Sequence, residues 1–278
     1  MWTACFVDNK CREARYTYRR SISFLSGVFA GTRKMDSTPL ASRIYIPKNP
    51  DGPFPYTQMD LTPTDPGNDT TFYSAPRFVT HIDDNALNSV RRYYDQVLPR
   101  KGRILDFCSS WISHYPAEVA VAAAAGELEV VGTGMNALEL SRNKVLKHWS
   151  VQDLNEDPDV RLPGASTGEG QPEQEQKLDA STCVVSIDYL TRPVDVLKSV
   201  RRQTREGGKV HLIISNRCFP TKVVSRWLQV DEEDRLTMVG DYLWWSGWRN
   251  IEIQTLIQGS FMTDPLWVVR GENPGEAA

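Results

Sequence analysis

The stretch Gly102 to Pro116, GRILDFCSSWISHYP, sets one carboxylate, Asp106, inside an apolar run and follows it with Cys108, Ser109 and Ser110. A carboxylate accepts hydrogen bonds, and small hydroxyls both donate and accept, so Ser109 and Ser110 can contact a ligand carboxylate directly. The same serines can instead cap the alanine-rich helix that follows. Further along, Ser186, Ile187, Asp188 and Tyr189 close another apolar run. Asp188 is suited to accept a proton or orient a nucleophile, or to cap the helix near Pro193. In APRFVTHID, Arg77 can neutralise a carboxylate and His81 can take a proton near neutral pH, on a segment placed to cover a site. His114 is a further candidate, although a lone histidine is more often structural. Cys218 would be a nucleophile only with a base beside it, and no such base is evident in the sequence.

Alternating strand and helix signals must position these groups. RILDFC is a short apolar strand, and AEVAVAAAAG is a helix that stops at Gly126. LEVVGTG, NALELSRNKVLK and HWSVQDL read as strand, helix and a weaker strand. LDASTCVVSIDYL is a strand, RPVDVLKSVRRQTREGG an amphipathic helix closed by Gly207 and Gly208, and KVHLIIS a buried strand. Upstream, Leu87, Val90, Tyr94 and Val97 recur at helical spacing behind a cap at Asp83 or Asp84. FPTKVVSRWLQ and DRLTMVGDYLWWSG look helical. NIEIQTLI and DPLWVVRG fit a final antiparallel hairpin. The fold class expected is α/β: a Rossmann-like, mostly parallel, seven-stranded sheet with helices on both faces. In such a sheet, ligands bind beyond the carboxyl ends of the strands, near the point where strand order reverses. That rule brings the loops 108–116, 133–136, 152–155, 186–191 and 216–220 to one rim.

The order of elements resembles the class I methyltransferase superfamily, which uses S-adenosyl-L-methionine (SAM), and in particular a type-11-like branch with no assigned substrate. RILDFCSSWISH stands at that family's first strand and glycine-rich loop, EVVGTGMNALEL at its second strand and helix, and VQDLN at its third-strand acid. LDASTCVVSIDYLTRPVDVLKSVRRQTREGGKVHLIISN stands at its fourth strand, Gly-Gly turn and fifth strand. The resemblance covers roughly 72–271. It implies that Asp106 organises the loop near the methionine ammonium, with Cys108 and Ser110 where glycines usually lie. It implies that Gly134 replaces the acid that usually accepts from the ribose. Asn136 is then a neutral substitute or a plain helix cap, with Glu139 one turn further on. Met135 packs on the adenine or in the core. Asp153 accepts from the adenine amino group, with Gln152 and Leu154 flanking the ring. Ser186, Asp188 and Tyr189 fall on the substrate side, where Tyr189 walls the transfer channel. Methyl transfer needs in-line approach and desolvation more than a general base.

The reading is therefore SAM-dependent transfer to a small or medium organic acceptor, with no metal. The alternative is a methyltransferase-like module that has lost catalysis and serves interaction. A nicotinamide oxidoreductase is disfavoured, because no GxGxxG follows the first strand and no acid ends the second. The chain has 278 residues, 24% charged, with a formal net charge of -3. That charge gives no global attraction to nucleic acid or anionic membrane, and no apolar run is long enough to span a bilayer. Five cysteines without a CxxC pair argue against a zinc ribbon or a disulfide framework and for a reducing compartment.

Residues 1–35 are basic and hydroxylated. They fit a transit peptide to a mitochondrion or plastid, or a basic tail of a cytoplasmic protein. Residues 36–71, rich in Pro, Asp, Thr and Gly, read as an extended linker or wrap. The domain follows over 72–271 with a polar, mobile insertion at 158–177, and 272–278 form a tail. The late aromatics Trp227, Tyr242, Trp244, Trp245 and Trp248 read as core before they read as a substrate wall. The oligomeric state is open.

Overall fold

The computed structural model describes residues 42–164, 177–260 and 263–275. The basic leader and most of the polar insertion therefore lie outside the described residues.

The chain builds an α/β sheet of eight strands. They are β1 (Ser42–Ile44), β2 (Gly102–Phe107), β3 (Leu128–Gly134), β4 (His148–Val151), β5 (Leu178–Val184), β6 (Thr204–Ser215), β7 (Arg249–Ile257) and β8 (Leu266–Glu272). Their order across the sheet is β1-β7-β8-β6-β5-β2-β3-β4. Strands β2 to β6 run parallel, and β8 is antiparallel to both β6 and β7. The architecture is thus Rossmann-like and mostly parallel, ending in the expected antiparallel hairpin. The eighth strand is β1. It comes from the Pro-rich stretch before the domain and pairs antiparallel with the edge of β7.

Period-two alternation explains why the sheet is buried on both faces. Ile104, Val130, Ile213 and Val268 enter one apolar cluster, which includes Tyr94 of α3 (Asp84–Val97) and Val119 of α4 (Ala117–Ala124). Their neighbours Leu105, Val131, Leu212 and Val269 enter the other. That second cluster includes Leu197 of α6 (Pro193–Arg202) and Tyr242 of α8 (Glu232–Trp245). Trp227, Tyr242 and Trp248 are fully buried there, so this part of the late aromatic group is core. Trp244 and Trp245 instead donate to the carbonyls of Pro50 and Gly52, fastening the N-terminal stretch to α8.

Three helices are shorter than the sequence pattern suggests. Helix α5 (Ala137–Arg142) stops because the Asn143 side chain turns to hydrogen-bond the Ser110 carbonyl and Ser113 Oγ. Helix α6 ends at Arg202, and the Gly207–Gly208 pair lies inside β6, with Gly207 at φ +73°. Of the FPTKVVSRWLQ stretch, only Ser225–Gln229 is helical and forms α7. Two single-turn helices precede the domain, α1 (Gln58–Leu61) and α2 (Asp69–Phe72).

Strand order reverses between β2 and β5: β3 and β4 lie to one side of β2, while β6 lies beyond β5. The carboxyl ends of β2 to β5 share one rim at that switch point, where an open α/β sheet offers its ligand crevice.

Candidate functional site at the sheet rim

Asp106, the penultimate residue of β2, is almost fully buried. Its carboxyl accepts from Ser109 Oγ at 2.5 Å, Ser113 Oγ at 2.7 Å and, from β5, Thr182 Oγ1 at 3.2 Å. Thr182 gives its single proton to Asp106, so the 2.6 Å contact with Tyr115 is donated by the tyrosine. Burial raises the Asp106 pKa to about 6, and the three hydroxyls pull against that rise. Asp106 thus pins the loop from beneath.

The loop is also tied sideways, because the Ser109 amide donates to the Thr133 carbonyl at 2.8 Å. This explains the missing acid at the end of β3. A Cβ on Gly134 would stand 2.1 Å from the Ser109 carbonyl oxygen. Any side chain there would displace the loop.

A cleft opens above these groups, with a cavity volume of about 110 Å³ and about 670 Å³ of unfilled space including its open mouth. Its lining brings together Cys108, Ser109, Ser110, Gly134, Met135 and Asn136 with Gln152, Asp153, Leu154, Ser186 and Tyr189. Side chains more than 75 positions apart in the chain therefore face one space. Asp153 holds its own turn, Oδ1 accepting from the amides of Asn155 and Glu156. Gln152 is occupied by the backbone of Asp157, Asp159 and Arg161. Asn136 is a helix cap. Its Oδ1 accepts from the amides of Leu138 and Glu139, and its Nδ2 donates to the carbonyls of Tyr73 and Ser74. With that amide fully occupied, the carboxylate on offer on this wall is Glu139. It lines the cleft, accepts from the Arg77 amide at 2.6 Å, and has its pKa raised by burial.

Two of the expected site residues are corrected. Asp188 lies in a 3-10 turn (Ile187–Tyr189) with 4% of its surface exposed, and it lines neither this cleft nor the cavity beside it. Burial lifts its pKa to about 7, with a backbone hydrogen bond and then the Arg235 charge pulling it down. It is a buried carboxyl that does not face the cleft. Arg77 does not reach a carboxylate with its side chain; the guanidinium donates to the Phe72 carbonyl and lies 4.6 Å from the Phe72 ring. Tyr189 does wall the cleft, its hydroxyl accepting from the Phe219 amide at 2.8 Å.

His81 lines a second, smaller cavity with Asp106 and His114, and burial together with the Arg77 charge lowers its pKa. It is neutral at physiological pH. Cys218 is buried, its thiol pushed up to about 12, which makes it a poor nucleophile.

Sequence reasoning missed the contribution of the N-terminal stretch. Asp69 and Tyr73 line the cleft, and Asp69 accepts from Asn155 Nδ2 at 2.9 Å. Lys222, only 3% exposed, holds that stretch down through Asp65 and Asp69 and the carbonyls of Asp65 and Gly67. No local pattern marks these residues, because their partners lie more than 60 positions away. Among the described residues, no cluster of three or more His, Cys, Asp or Glu is arranged to hold a metal ion, and no helix is long and apolar enough to cross a membrane.

No family model matches the chain, and no curated protein matches it. Similar solved structures include a chain of the Haloferax volcanii complex between the Trm112 methyltransferase activator and a methyltransferase (10% identity, 69% of this chain and 92% of that chain, TM-score 0.45). A SAM-dependent methyltransferase from Mesorhizobium loti is similar at 14% identity, covering 67% of this chain and 99% of its own, with TM-score 0.43. Haemonchus contortus phosphoethanolamine N-methyltransferase 2, solved with SAM, is similar at 13% identity, covering 68% of this chain and 52% of its own, with TM-score 0.40.

Proposed function

We propose that the chain is a SAM-dependent methyltransferase acting on a small or medium organic acceptor. One observation carries the reading. The cleft at the switch point gathers the hydroxyl loop held by Asp106, the apolar side chains of Met135 and Leu154, and the carboxylates Glu139 and Asp153. A nucleoside with an amino-acid tail needs that combination: flat apolar contact for the base, anionic acceptors for the diol and the exocyclic amine, and small donors for the carboxylate.

The fit has a local adjustment. Gly134 is fixed by the loop packed against it, and Asn136 is occupied as a cap, so Glu139 supplies the ribose acceptor. Bound there, the cofactor would supply an electrophilic methyl group on sulfur. The protein's part is positional. Ser109 and Ser110 hold the amino-acid end, Met135 and Leu154 hold the base with Asp153 at its amine edge, and Ser186 and Tyr189 wall the side from which the acceptor approaches. Tyr189 excludes water from that side, and its own hydroxyl stays protonated because burial raises its pKa far above the ordinary value. The cavity volume of about 110 Å³ is smaller than the ~300 Å³ usual for enclosing a drug-sized ligand. The cofactor therefore lies along an open groove, or the stretch bearing Asp69 and Tyr73 shifts outward to admit it.

Calorimetric titration of the full chain with SAM and with S-adenosylhomocysteine tests the reading. Saturable binding of both, weakened by Asp153→Ala, is the expected result. Absence of binding, with a stable protein partner recovered instead, would favour an inactive interaction module.

A further inference from the structure

Two of the three cysteines among the described residues meet near the ends of β2 and β5. Cys183 lies in β5 and is fully buried. Cys108 follows directly on β2, is half-buried, and lines both the main cleft and the smaller cavity. Strands β2 and β5 are parallel neighbours whose last aligned pair is Asp106 and Thr182. Cys183 is therefore one step past that pair and Cys108 two. Side chains alternate along a strand, so regular backbone would put Cys108 on the face of Asp106. Its φ of +54° breaks the alternation, and it packs instead against the apolar cluster that contains Cys183.

Two observations separate this pair from ordinary packing of small apolar side chains. The first is contact. The Cys183 thiol hydrogen-bonds to Cys108, and burial together with that bond holds it well above its ordinary pKa. Diagonal neighbours on adjoining parallel strands stand about 6 Å apart at Cα, within the roughly 4.4–6.8 Å that a disulfide spans. The second is unequal access. Cys183 has no exposed surface, whereas Cys108 opens on the cleft at a backbone angle that is sterically costly for a residue with a Cβ. One sulfur can meet a solute, and the other can meet only its neighbour.

We propose that Cys108 and Cys183 form a redox pair: a hydroperoxide entering the cleft oxidises Cys108, and Cys183 then closes a disulfide that displaces the serine loop. In the first step the Cys108 sulfur attacks the peroxide and the O–O bond breaks. The sulfur keeps one oxygen as a sulfenic acid, and the other leaves as water or an alcohol with the thiol proton. In the second step the Cys183 sulfur displaces the sulfenic oxygen, which departs as water with the Cys183 proton. The two thiols lose two electrons and two protons in all, and the hydroperoxide accepts them. Burial keeps Cys183 protonated and away from solutes, and its contact with Cys108 supplies the proximity that its low acidity withholds. The cross-link draws Cys108 towards β5 and moves Ser109 and Ser110 with it. That this lowers cofactor affinity rests on the proposed function; that the disulfide forms does not.

To test this, the full chain is reduced, freed of reductant, exposed to hydrogen peroxide, alkylated after unfolding, digested and mapped by mass spectrometry. The expected product joins the peptides of Cys108 and Cys183 and is two hydrogens lighter than their sum. Buried Cys218 should be oxidised at least about tenfold more slowly. Cys183→Ala should instead leave Cys108 as a sulfenic acid that dimedone traps, and Cys108→Ser should leave Cys183 reduced. S-adenosylhomocysteine should bind the cross-linked chain about tenfold more weakly and recover on adding dithiothreitol, which does not restore an oxidised Met135. A parent chain in which Cys183 stays reduced, or pairs with Cys5, Cys11 or Cys218, would overturn the proposal, and neither result depends on a variant folding. Unchanged S-adenosylhomocysteine affinity in the cross-linked chain would overturn the effect on the cleft. A reduced chain that binds no S-adenosylhomocysteine would count against the proposed function and leave the disulfide standing.

Discussion

The carboxyl ends of β2 and β5 stand side by side, and each leads to a buried aspartate, but the two differ in what surrounds them. Asp106 receives three hydroxyls, holds the loop that floors the cleft, and borders the second cavity. Asp188 lies in the turn after β5, faces neither space, and has a backbone hydrogen bond and the Arg235 charge to offset its burial. The pKa values follow: about 6 for Asp106 and about 7 for Asp188. A perturbed carboxyl marks a site only when a void and unsatisfied groups adjoin it. By that criterion the end of β2 is where the proposed site lies.

The largest expected effect comes from closing the contact between that loop and β3. Gly134→Ala sets a methyl 2.1 Å from a backbone oxygen that cannot swing away. It should cost about 3 kcal/mol, lowering Tm by on the order of 5–10 °C, and abolish binding of S-adenosylhomocysteine. An unchanged Tm with intact binding would show that the loop is not pressed against β3.

The next effect separates the two aspartates by pH. A carboxyl whose pKa is raised on folding binds more protons folded than unfolded. Its contribution is full below about pH 4 and is lost as pH rises through the folded value. For Asp188 that window runs from about 4 to about 7, and for Asp106 from about 4 to about 6. Asp188→Asn should therefore gain on the order of 3 kcal/mol over the parent at pH 8 and nothing at pH 3.5. Asp106→Asn should gain about 1 kcal/mol less, because the charged form there has its three hydroxyls, and it should weaken S-adenosylhomocysteine. The parent's own profile is flatter, because buried His114 and His211, with pKa values near 4 and 3, lose stability as pH falls below the ordinary histidine range. Denaturant unfolding at the two pH values reads the difference. A gain of Asp188→Asn that does not change with pH would remove the contrast.

The smallest effect concerns affinity alone. Glu139→Gln retains an oxygen for the Arg77 amide but replaces an ionised acceptor with a neutral one. S-adenosylhomocysteine should bind about tenfold more weakly, about 1.4 kcal/mol, with Tm at neutral pH not lowered, because burial disfavours the charged form of Glu139. Adenine, which lacks the diol, should bind parent and variant alike, and an equal loss for adenine would move Glu139 away from the ribose.

Much of this rim is legible in the sequence. Apolar runs such as RILDFC and KVHLIIS fix the strands, and the rule on strand ends brings Ser109, Asn136 and Asp153 to one cleft. What escaped notice depends on distant partners. Strand β1 is three exposed residues that gain meaning only from β7. Helix α5 looks longer than it is, because Asn143 turns to the serine loop instead of continuing the helix. Asp188 looks like a rim residue by position, and only the turn of Ile187–Tyr189 sends it inward. Lys222 reads as a surface lysine until Asp65 and Asp69 arrive from about 155 positions upstream.

The central claim is that the cleft between β2, β3 and β4 holds an adenosyl ligand. Calorimetric titration of the full chain with S-adenosylhomocysteine measures it directly. The account predicts one saturable site with affinity tighter than about 1 mM, lost in Gly134→Ala and weakened about tenfold in Glu139→Gln. No heat of binding at about 1 mM ligand, from a chain that unfolds cooperatively, would contradict it.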